Sequence, residues 1–192
     1  MTIKKKEVFI SVDVETSGPI PGDYDLLSIG MCLVDKPTVN FYCELKPISN
    51  KYDPEALSVT GFNLDTLLST GLLANVAMAE CCKWIDQNVT ANEIPMFVGF
   101  NVGFDWSFIN YYFHKYLGNN PFGYTSVDIK SMYFGCFGGD WSETKSSKIV
   151  EKLKPKFTGN HHALQDAIFQ AELFNLILEE VELYFHPEFQ RR

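Results

Sequence analysis

Two carboxylates, Asp13 and Glu15, lie near the end of the apolar segment 8–18, VFISVDVETSG. Side chains two residues apart in a strand point to the same face, so a strand here would place both acids side by side. Such a pair is tolerable when a cation lies between the two charges or when they share a proton, and carboxylate oxygens favour Mg²⁺ or Mn²⁺. The segment therefore predicts a metal site at the end of a buried strand, although a strand that merely ends in a polar turn would give the same pattern.

Two more acids lie where the sequence predicts helices to begin. Asp105 is in the first turn of a helix predicted over 103–117, among aromatic residues that would place it in a cleft or a buried position. Asp166 lies about one turn into a final helix predicted from 162 to 183, beside the apolar side of that helix. An acid in a first helical turn also stabilises the helix dipole, so each residue has an ordinary explanation when taken alone.

The four acids share a position at the ends of predicted elements, where they could meet over one edge of a sheet. Asp13, Glu15, Asp105 and Asp166 together have the composition of a two-metal site, in which cations about 4 Å apart polarise a phosphate and stabilise the leaving oxygen. His161 precedes the last acid by five residues. Imidazole suits a general base at neutral pH, so this residue is the candidate that takes a proton from the attacking water.

Apolar runs and helical periodicity predict an α/β fold with a mixed sheet. Strands at 26–34 and 38–45 follow the first strand with only a short link between them, which favours an antiparallel meander because parallel pairing needs a longer crossover. Two later strands, a buried parallel one at 95–99 and a short one at 126–129, bring the sheet to five. The predicted helices also include a short one beginning at Asp53 and Pro54 and a long one over 72–89, and the state of 130–137 is not predicted.

Length, composition and charge restrict the kinds of protein that this sequence can form. A chain of 192 residues with 46% hydrophobic residues is expected to form one domain over 1–192, without a membrane segment, in the cytoplasm. Its five cysteines form no CxxC pair and are odd in number, which argues against a disulfide framework. A formal net charge of −8 is unusual for a protein that grips a long stretch of nucleic acid through phosphates, so any such contact should be local.

Three segments resemble the motifs of the DEDD exonucleases. DVETSG is similar to the first motif, NVGFD to the second and HHALQDA to the third, in the family's order over residues 8–175. The histidine five residues before the last aspartate resembles the DEDDh branch, which includes ribonuclease T and polymerase proofreading subunits. The segment DPEALSVTGF is also similar to the stretch that follows the third strand in many members. Ser17, where many members have threonine, is a mild departure.

The resemblance implies a ribonuclease H-like fold, with a five-stranded sheet flanked by helices, and 3′-to-5′ hydrolysis of single-stranded DNA or RNA to nucleoside 5′-monophosphates. It implies two divalent cations, Mg²⁺ or Mn²⁺. Asp13, Glu15 and Asp166 would hold the first cation, and Asp13 would bridge to a second that Asp105 supports. The resemblance makes His161 the general base. His162, four residues before Asp166, does not match the family's base.

Family members commonly hold the terminal nucleotides just after the first motif and stack them on apolar or aromatic side chains. The resemblance therefore implies a set of substrate-binding residues here, of which the first three would act through the backbone: Thr16, Ser17, Gly18, Ile20, Tyr24 and Phe62. Five lysines near the third motif could follow the substrate backbone, although a solvated lysine-rich loop explains them equally well: Lys145, Lys148, Lys152, Lys154 and Lys156. Several relatives are dimers, so a homodimer is also considered.

Two other function classes are compatible with parts of the sequence. One is an exonuclease-fold binding module that recruits a polymerase or an RNA-processing partner, with catalysis secondary or absent; the five filled catalytic positions count against it. The other is an unrelated metal-dependent phosphatase or phosphodiesterase, which would usually draw on more than the four histidines present. The choice between DNA and RNA depends on how a 2′-hydroxyl is received and stays open.

Overall fold

The computed structural model describes residues 5–185, and within them a five-stranded sheet in the order β3-β2-β1-β4-β5. Strands β1, β2 and β3 form the predicted antiparallel meander, while β4 and β5 run parallel to β1. The predicted mixed sheet is confirmed. The strands are β1 Lys6–Thr16, β2 Leu26–Leu33, β3 Lys36–Glu44, β4 Glu93–Gly99 and β5 Ser126–Asp128.

Seven α-helices and one short 3₁₀ helix, Trp141–Thr144, complete the described chain. They are α1 Pro54–Thr60, α2 Leu64–Thr70, α3 Ala74–Asn88, α4 Gly103–Leu117, α5 Ile129–Phe137, α6 Ser146–Leu153 and α7 Ala163–Phe185. The start of α1 follows its predicted signal, because the Asp53 side chain accepts a hydrogen bond from the Glu55 N–H at 2.9 Å. Within residues 5–185, no helix has both the length and the apolar composition that crossing a membrane requires.

The helices cover the two faces of the sheet, and alternate residues of β1 belong to different cores. Ile10, Val12 and Val14 pack in the core formed with α3 and α4. On the other face, Phe9 packs against Phe174 of α7, with ring centroids 5.2 Å apart. Asp13 shares that second face by the alternation of the strand. The central strand therefore presents its acids toward α7.

Strands β1 and β4 separate before β1 ends. Their parallel pairing runs from Lys6 and Glu93 to Ser11 and Val98, whereas β1 continues beside β2 as far as Thr16. Beyond Ser11, no strand among the described residues 5–185 pairs with β1 on its β4 side. This divergence, which we call the β1/β4 fork, leaves backbone groups open to side chains from the helices.

Gly30 of β2 allows the first turn of α7 to lie directly on the sheet. It pairs with Asp13, and a Cβ atom at this position would lie 2.2 Å from the carbonyl carbon of Ala163 and from the backbone nitrogen of Leu164. Those contacts are with backbone atoms, which a rotamer change cannot move. The absence of a side chain here brings Asp166, three residues after Ala163, toward the acids of β1.

We expect Gly30→Ala to lower the free energy of unfolding by about 1–3 kcal/mol, because the added methyl must push α7 away from the sheet. Chemical denaturation of the purified variant measures this change. Gly135→Ala is the matched control: Gly135 lies in α5, and a Cβ atom added there would meet open space within 4 Å, so alanine should raise stability by about 0.5–1 kcal/mol. Equal effects of the two substitutions would contradict the close-approach argument.

Candidate functional site

The four predicted acids meet at the β1/β4 fork. Asp13 and Glu15 extend from β1, Asp105 from the first turn of α4 and Asp166 from the first turn of α7. His161 lies just before α7, and its imidazole joins Glu15 and Asp166 in a group whose ligand atoms are all within 4.8 Å of one another. Two distant stretches of the chain, β1 and residues 161–166, thus supply this group, and Asp105 lies near enough for its charge to raise the pKa of Asp13.

Hydrogen bonds across the fork fix two of these acids. Asp105 Oδ1 accepts from the N–H of Val14 at 3.1 Å, on the stretch of β1 that β4 no longer pairs. Asp13 Oδ1 accepts from the side-chain amide of Gln170 at 2.6 Å. The other end of that amide, Oε1, accepts from the N–H of Phe100 just after β4 at 3.0 Å. Side chains from helices on both faces of the sheet therefore replace the missing strand-to-strand bonds.

The segment that carries His161 is tied to Asp166 through the backbone. Asp166 Oδ1 accepts from the N–H of Asn160 at 2.7 Å, and Oδ2 accepts from the N–H of His161 at 3.0 Å. His161 has a φ of 61°, in the left-handed region, which is uncommon for a residue other than glycine. Successive N–H groups that converge in this way bind anions well. The spacing of five residues between the histidine and the aspartate allows this arrangement.

Further contacts hold the same segment on its outer side. The two carboxylate oxygens of Glu172 on α7 accept from the N–H groups of Lys156 at 2.9 Å and Phe157 at 2.8 Å. The ring of His162 stacks on Tyr42 of β3, with centroids 4.6 Å apart. His162, which does not match the family's base, thus faces β3. The sequence did not predict its stacking on Tyr42. Glu172 was also missed, because its partners lie sixteen and fifteen residues away in the chain.

Burial and mutual repulsion raise the pKa values of three of the acids. Burial is the main cause at Asp13, whose pKa lies well above the ordinary value, and the charges of Asp105, Glu15 and Asp166 add to it while the Gln170 amide opposes it. Burial raises the pKa of Glu15 to about 7, with a further contribution from Asp166. The pKa of Asp105 also rises to about 7 through burial, although the Val14 N–H favours its ionised form. The raised pKa values mean that these three carboxyl groups ionise less readily unless a positive charge lies beside them.

The residues fit a divalent cation site. Ion pairs in residues 5–182 involve other carboxylates, and none includes Asp13, Glu15, Asp105 or Asp166. Oxygen ligands from clustered carboxylates are those that hard divalent cations prefer. A bound cation would relieve the repulsion that raises the three pKa values. Of the four predicted metal ligands, Glu15 and Asp166 belong to the close group with His161, and cation binding by all four stays a prediction.

A cleft of about 500 Å³ opens beside the acids. Helix α6, where the sequence indicates only a lysine-rich stretch, contributes one wall through Ser146, Ser147 and Val150. Phe100 and Phe169 provide apolar surface in the same cleft. The remaining lining residues are Asp13, Thr158, Gly159, His161, Asp166 and Gln170. A space of this size is suited to a small ligand or one end of a longer one.

The predicted substrate-binding residues after the first motif differ in exposure. The Thr16 and Ser17 side chains are buried: Thr16 Oγ1 donates to the Gly18 carbonyl at 2.8 Å, and Ser17 Oγ accepts from the Asp25 N–H at 2.9 Å. Their hydroxyl groups are therefore engaged within the protein. The Ser17 backbone is engaged as well, because its N–H donates to the Asp25 carbonyl at 2.8 Å and its carbonyl accepts from the Asp53 N–H at 2.7 Å. Gly18 packs against the ring of Tyr24, since a Cβ there would lie 2.2 Å from Cδ1 of that ring.

The other predicted substrate-binding residues lie at the surface. Ile20 has 56% of its surface exposed. Phe62 lines a second cleft of about 500 Å³ with Tyr52, Leu57 and Leu64. The structure thus does not place Phe62 in the cleft that contains Asp13 and His161.

The predicted lysine-rich stretch is partly helical. Lys148 and Lys152 belong to α6, where Lys148 forms an ion pair with Glu151 at 3.6 Å. The Lys152 ammonium lies 3.9 Å from the ring centroid of Phe137, in a cation–π contact. Lys145 precedes α6 next to the cleft residue Ser146. The five lysines therefore do not form one continuous loop.

Comparison with known proteins relates this geometry to a family. Residues 10–174 match the model of the RNase T family, described as exonuclease. The chain is 55% identical over 172 residues to the 3′-5′ DNA exonuclease Cap18 of Escherichia coli, an alignment that covers 90% of this chain and 92% of the relative.

Solved structures share the fold. The nuclease domain of 3′hExo, a DEDDh family member bound to rAMP, superposes with a TM-score of 0.73 at 16% identity, covering 90% of this chain and 92% of that domain. Escherichia coli exonuclease I in complex with a dT13 oligonucleotide superposes with a TM-score of 0.71 at 14% identity. That match covers 95% of this chain and 43% of exonuclease I.

The pKa values of the cluster predict how stability depends on pH. Because burial raises the pKa of Glu15 and Asp105 to about 7, the folded state binds their protons more tightly than the unfolded chain does. Their stabilising contribution is present below the ordinary carboxyl pKa and is lost as pH rises through about 7. In EDTA, we expect the free energy of unfolding to fall between about pH 4 and about pH 7, and Mn²⁺ to reduce that fall.

Urea denaturation at several pH values, with EDTA or with Mn²⁺, measures this dependence. A variant carrying Glu15→Gln and Asp105→Asn is the control, since it lacks two of the groups whose pKa is raised. Its stability in EDTA should vary less with pH than that of the wild type. Identical pH dependence in the two proteins would contradict the assignment.

Proposed function

The chain belongs to the RNase T exonuclease family, and from this we propose that it removes nucleotides from the 3′ end of single-stranded DNA, releasing nucleoside 5′-monophosphates. The observation that carries the proposal is the close grouping of Glu15, His161 and Asp166 beside an open cleft, with Asp13 near enough to feel the charges of Asp105, Glu15 and Asp166. DNA is proposed as the preferred substrate because the Escherichia coli relative at 55% identity is named as a DNA exonuclease. The sequence left this choice open.

We propose two divalent cations, Mg²⁺ or Mn²⁺, as cofactors. Glu15 and Asp166 approach each other closely enough to share a cation. Asp13 lies two residues before Glu15 and on the same face of β1. Asp13 would also face a second cation together with Asp105. When bound, the cations would polarise the scissile phosphate and stabilise the oxygen that leaves.

His161 is proposed as the general base. A ring nitrogen would accept a proton from the water that attacks the phosphorus atom, while the bond between phosphorus and the 3′ oxygen of the preceding nucleotide breaks. The imidazole is exposed at the cleft, whereas its backbone is held by Asp166, so the ring can reach a ligand without losing its anchor. Asp13, Glu15 and Asp105 hold charge and orientation and need not transfer the proton.

The terminal nucleotides would bind through both backbone and apolar contacts. The backbone at the end of β1 and just beyond it, at Thr16, Ser17 and Gly18, is proposed to contact the 3′ nucleotide. Tyr24, whose ring packs on Gly18, is proposed to stack on a base. Ile20 and Phe62 are proposed to contact bases, since base stacking tolerates any sequence and contributes roughly 1–3 kcal/mol per base. Contact with only the 3′ end of the nucleic acid involves few phosphates, which agrees with the protein's net charge of −8.

The cytoplasm is the proposed location. The free thiols of all five cysteines, Cys32, Cys43, Cys81, Cys82 and Cys136, fit a reducing compartment. Homodimer formation stays a prediction from the family resemblance.

A gel time course on 5′-labelled single-stranded DNA and RNA of equal sequence tests the proposed function. We expect stepwise shortening with Mg²⁺ or Mn²⁺, faster on DNA than on RNA, and none in EDTA. Asp13→Ala should abolish shortening because it removes a ligand of both proposed cations. Absence of shortening on either strand with every metal would overturn the exonuclease and favour the binding module that the sequence left as an alternative.

The two adjacent histidines offer a matched pair of variants for the proposed base. His161→Ala should lower kcat by about 10²- to 10⁴-fold, because a positioned general base contributes that much. His162→Ala should lower it by less than about tenfold, since its ring stacks on Tyr42 outside the cleft. Steady-state kinetics on labelled DNA measure both. Equal losses in the two variants would contradict the role of His161.

A further inference from the structure

We propose that Gln170 is a positioning residue, which holds the Asp13 carboxylate in the orientation that binds cations. The proposal rests on the proposed metal-dependent exonuclease function and concerns a side chain with no charge. Its amide spans the β1/β4 fork, donating to Asp13 Oδ1 at 2.6 Å and accepting from the Phe100 N–H at 3.0 Å. Gln170 has only 4% of its surface exposed, so water does not readily replace these bonds.

The two bonds together determine which way the amide points. The Phe100 N–H can only donate, so it requires the oxygen of Gln170, and the NH₂ group must then face Asp13. An N–H donor that faces Asp13 favours the ionised carboxylate, which can only accept hydrogen bonds. The ionised carboxylate is also the form that binds a cation. Because the other end is fixed to the backbone after β4, the amide cannot turn away.

Helix α7 relates this residue to the neighbouring cation ligand. Gln170 follows Asp166 by four residues, so both side chains lie on the same face of the helix, one turn apart. The close approach of α7 at Gly30 places that face against β1. One rigid helix therefore supplies a ligand, Asp166, and the group that orients a second ligand, Asp13.

The other side chains that reach the fork act differently. Asp105 receives its hydrogen bond from a backbone N–H of β1, and Asp166 receives two from the segment before α7. Asp13 differs because its hydrogen-bond donor is a side chain 157 residues away in the sequence. Substitution can therefore remove the donor to Asp13 while leaving the backbone and the four acids unchanged.

Binding of Mn²⁺ to the folded protein without nucleic acid tests the proposal. Gln170→Met keeps a similar volume but removes both hydrogen bonds, and we expect the dissociation constant for Mn²⁺, measured by titration calorimetry or electron paramagnetic resonance, to rise by about 10- to 100-fold. Under saturating Mn²⁺, kcat on single-stranded DNA should fall while KM for DNA stays within about threefold. Gln165→Met, at an exposed position of the same helix, is the control and should match the wild type.

Gln170→Glu separates the two bonds of the amide. Its carboxylate can still accept from the Phe100 N–H, but it presents an acceptor to Asp13 in place of a donor. We expect this variant to fold and to lose at least about tenfold in kcat. It also decides the question if the methionine variant does not give a folded circular dichroism spectrum.

The outcomes distinguish this inference from the proposed function. Wild-type Mn²⁺ affinity in Gln170→Met, or wild-type kcat in Gln170→Glu, would overturn the positioning role while leaving the exonuclease intact. A wild-type protein that binds no Mn²⁺ and shortens no strand would overturn the proposed function itself. Loss of stability in Gln170→Met with unchanged Mn²⁺ affinity would assign the residue to folding alone and would also overturn the inference.

Discussion

The separation of β1 from β4 is the constraint on which the site depends. Parallel pairing stops at Ser11 and Val98, and the open backbone groups beyond that point need partners. Asp105 from α4 and Gln170 from α7 provide them from opposite faces of the sheet. Asp105 is itself one of the clustered acids, and Gln170 holds another, Asp13. The side chains that satisfy the open backbone groups of the sheet therefore also build the acidic site.

The cluster concentrates negative charge where water is scarce. Burial raises the pKa of Glu15 and Asp105 to about 7, and that of Asp13 is also raised. A fold that only had to be stable would gain from apolar residues at these positions. The surrounding structure nevertheless holds the acids together, through Gly30 beneath α7 and the backbone bonds to Asp166. Such local conflict with stability is typical of a functional site.

Much of the fold follows from local signals in the sequence. The helix predicted over 103–117 has those bounds because Gly118 takes a left-handed conformation that ends it. Helix α2 was missed although Asn63 caps it by accepting from Thr66, a signal present in the sequence. Helix α6 was missed because Lys145 precedes it with no side-chain cap bond, so its start has no clear marker.

The four acids and His161 could be picked out because their residue types and their positions at the ends of predicted elements are local signals, and the family resemblance then implied a role for each. Gln170 and Glu172 could not be assigned roles, since those depend on which backbone groups the fold brings to them. The second cleft around Phe62 was likewise beyond sequence patterns, because it forms between residues of α1, α2 and their flanking segments.

The backbone bonds from Asn160 and His161 to Asp166 join the proposed general base and a proposed cation ligand into one rigid segment. A substitution at Asp166 removes the anchor of the His161 backbone as well as a carboxylate. Losses of rate at these two positions will therefore overlap, and a double substitution will cost less than the product of the single ones. The rate lost on substitution of Asp166 alone would thus overstate the contribution of its carboxylate as the proposed cation ligand.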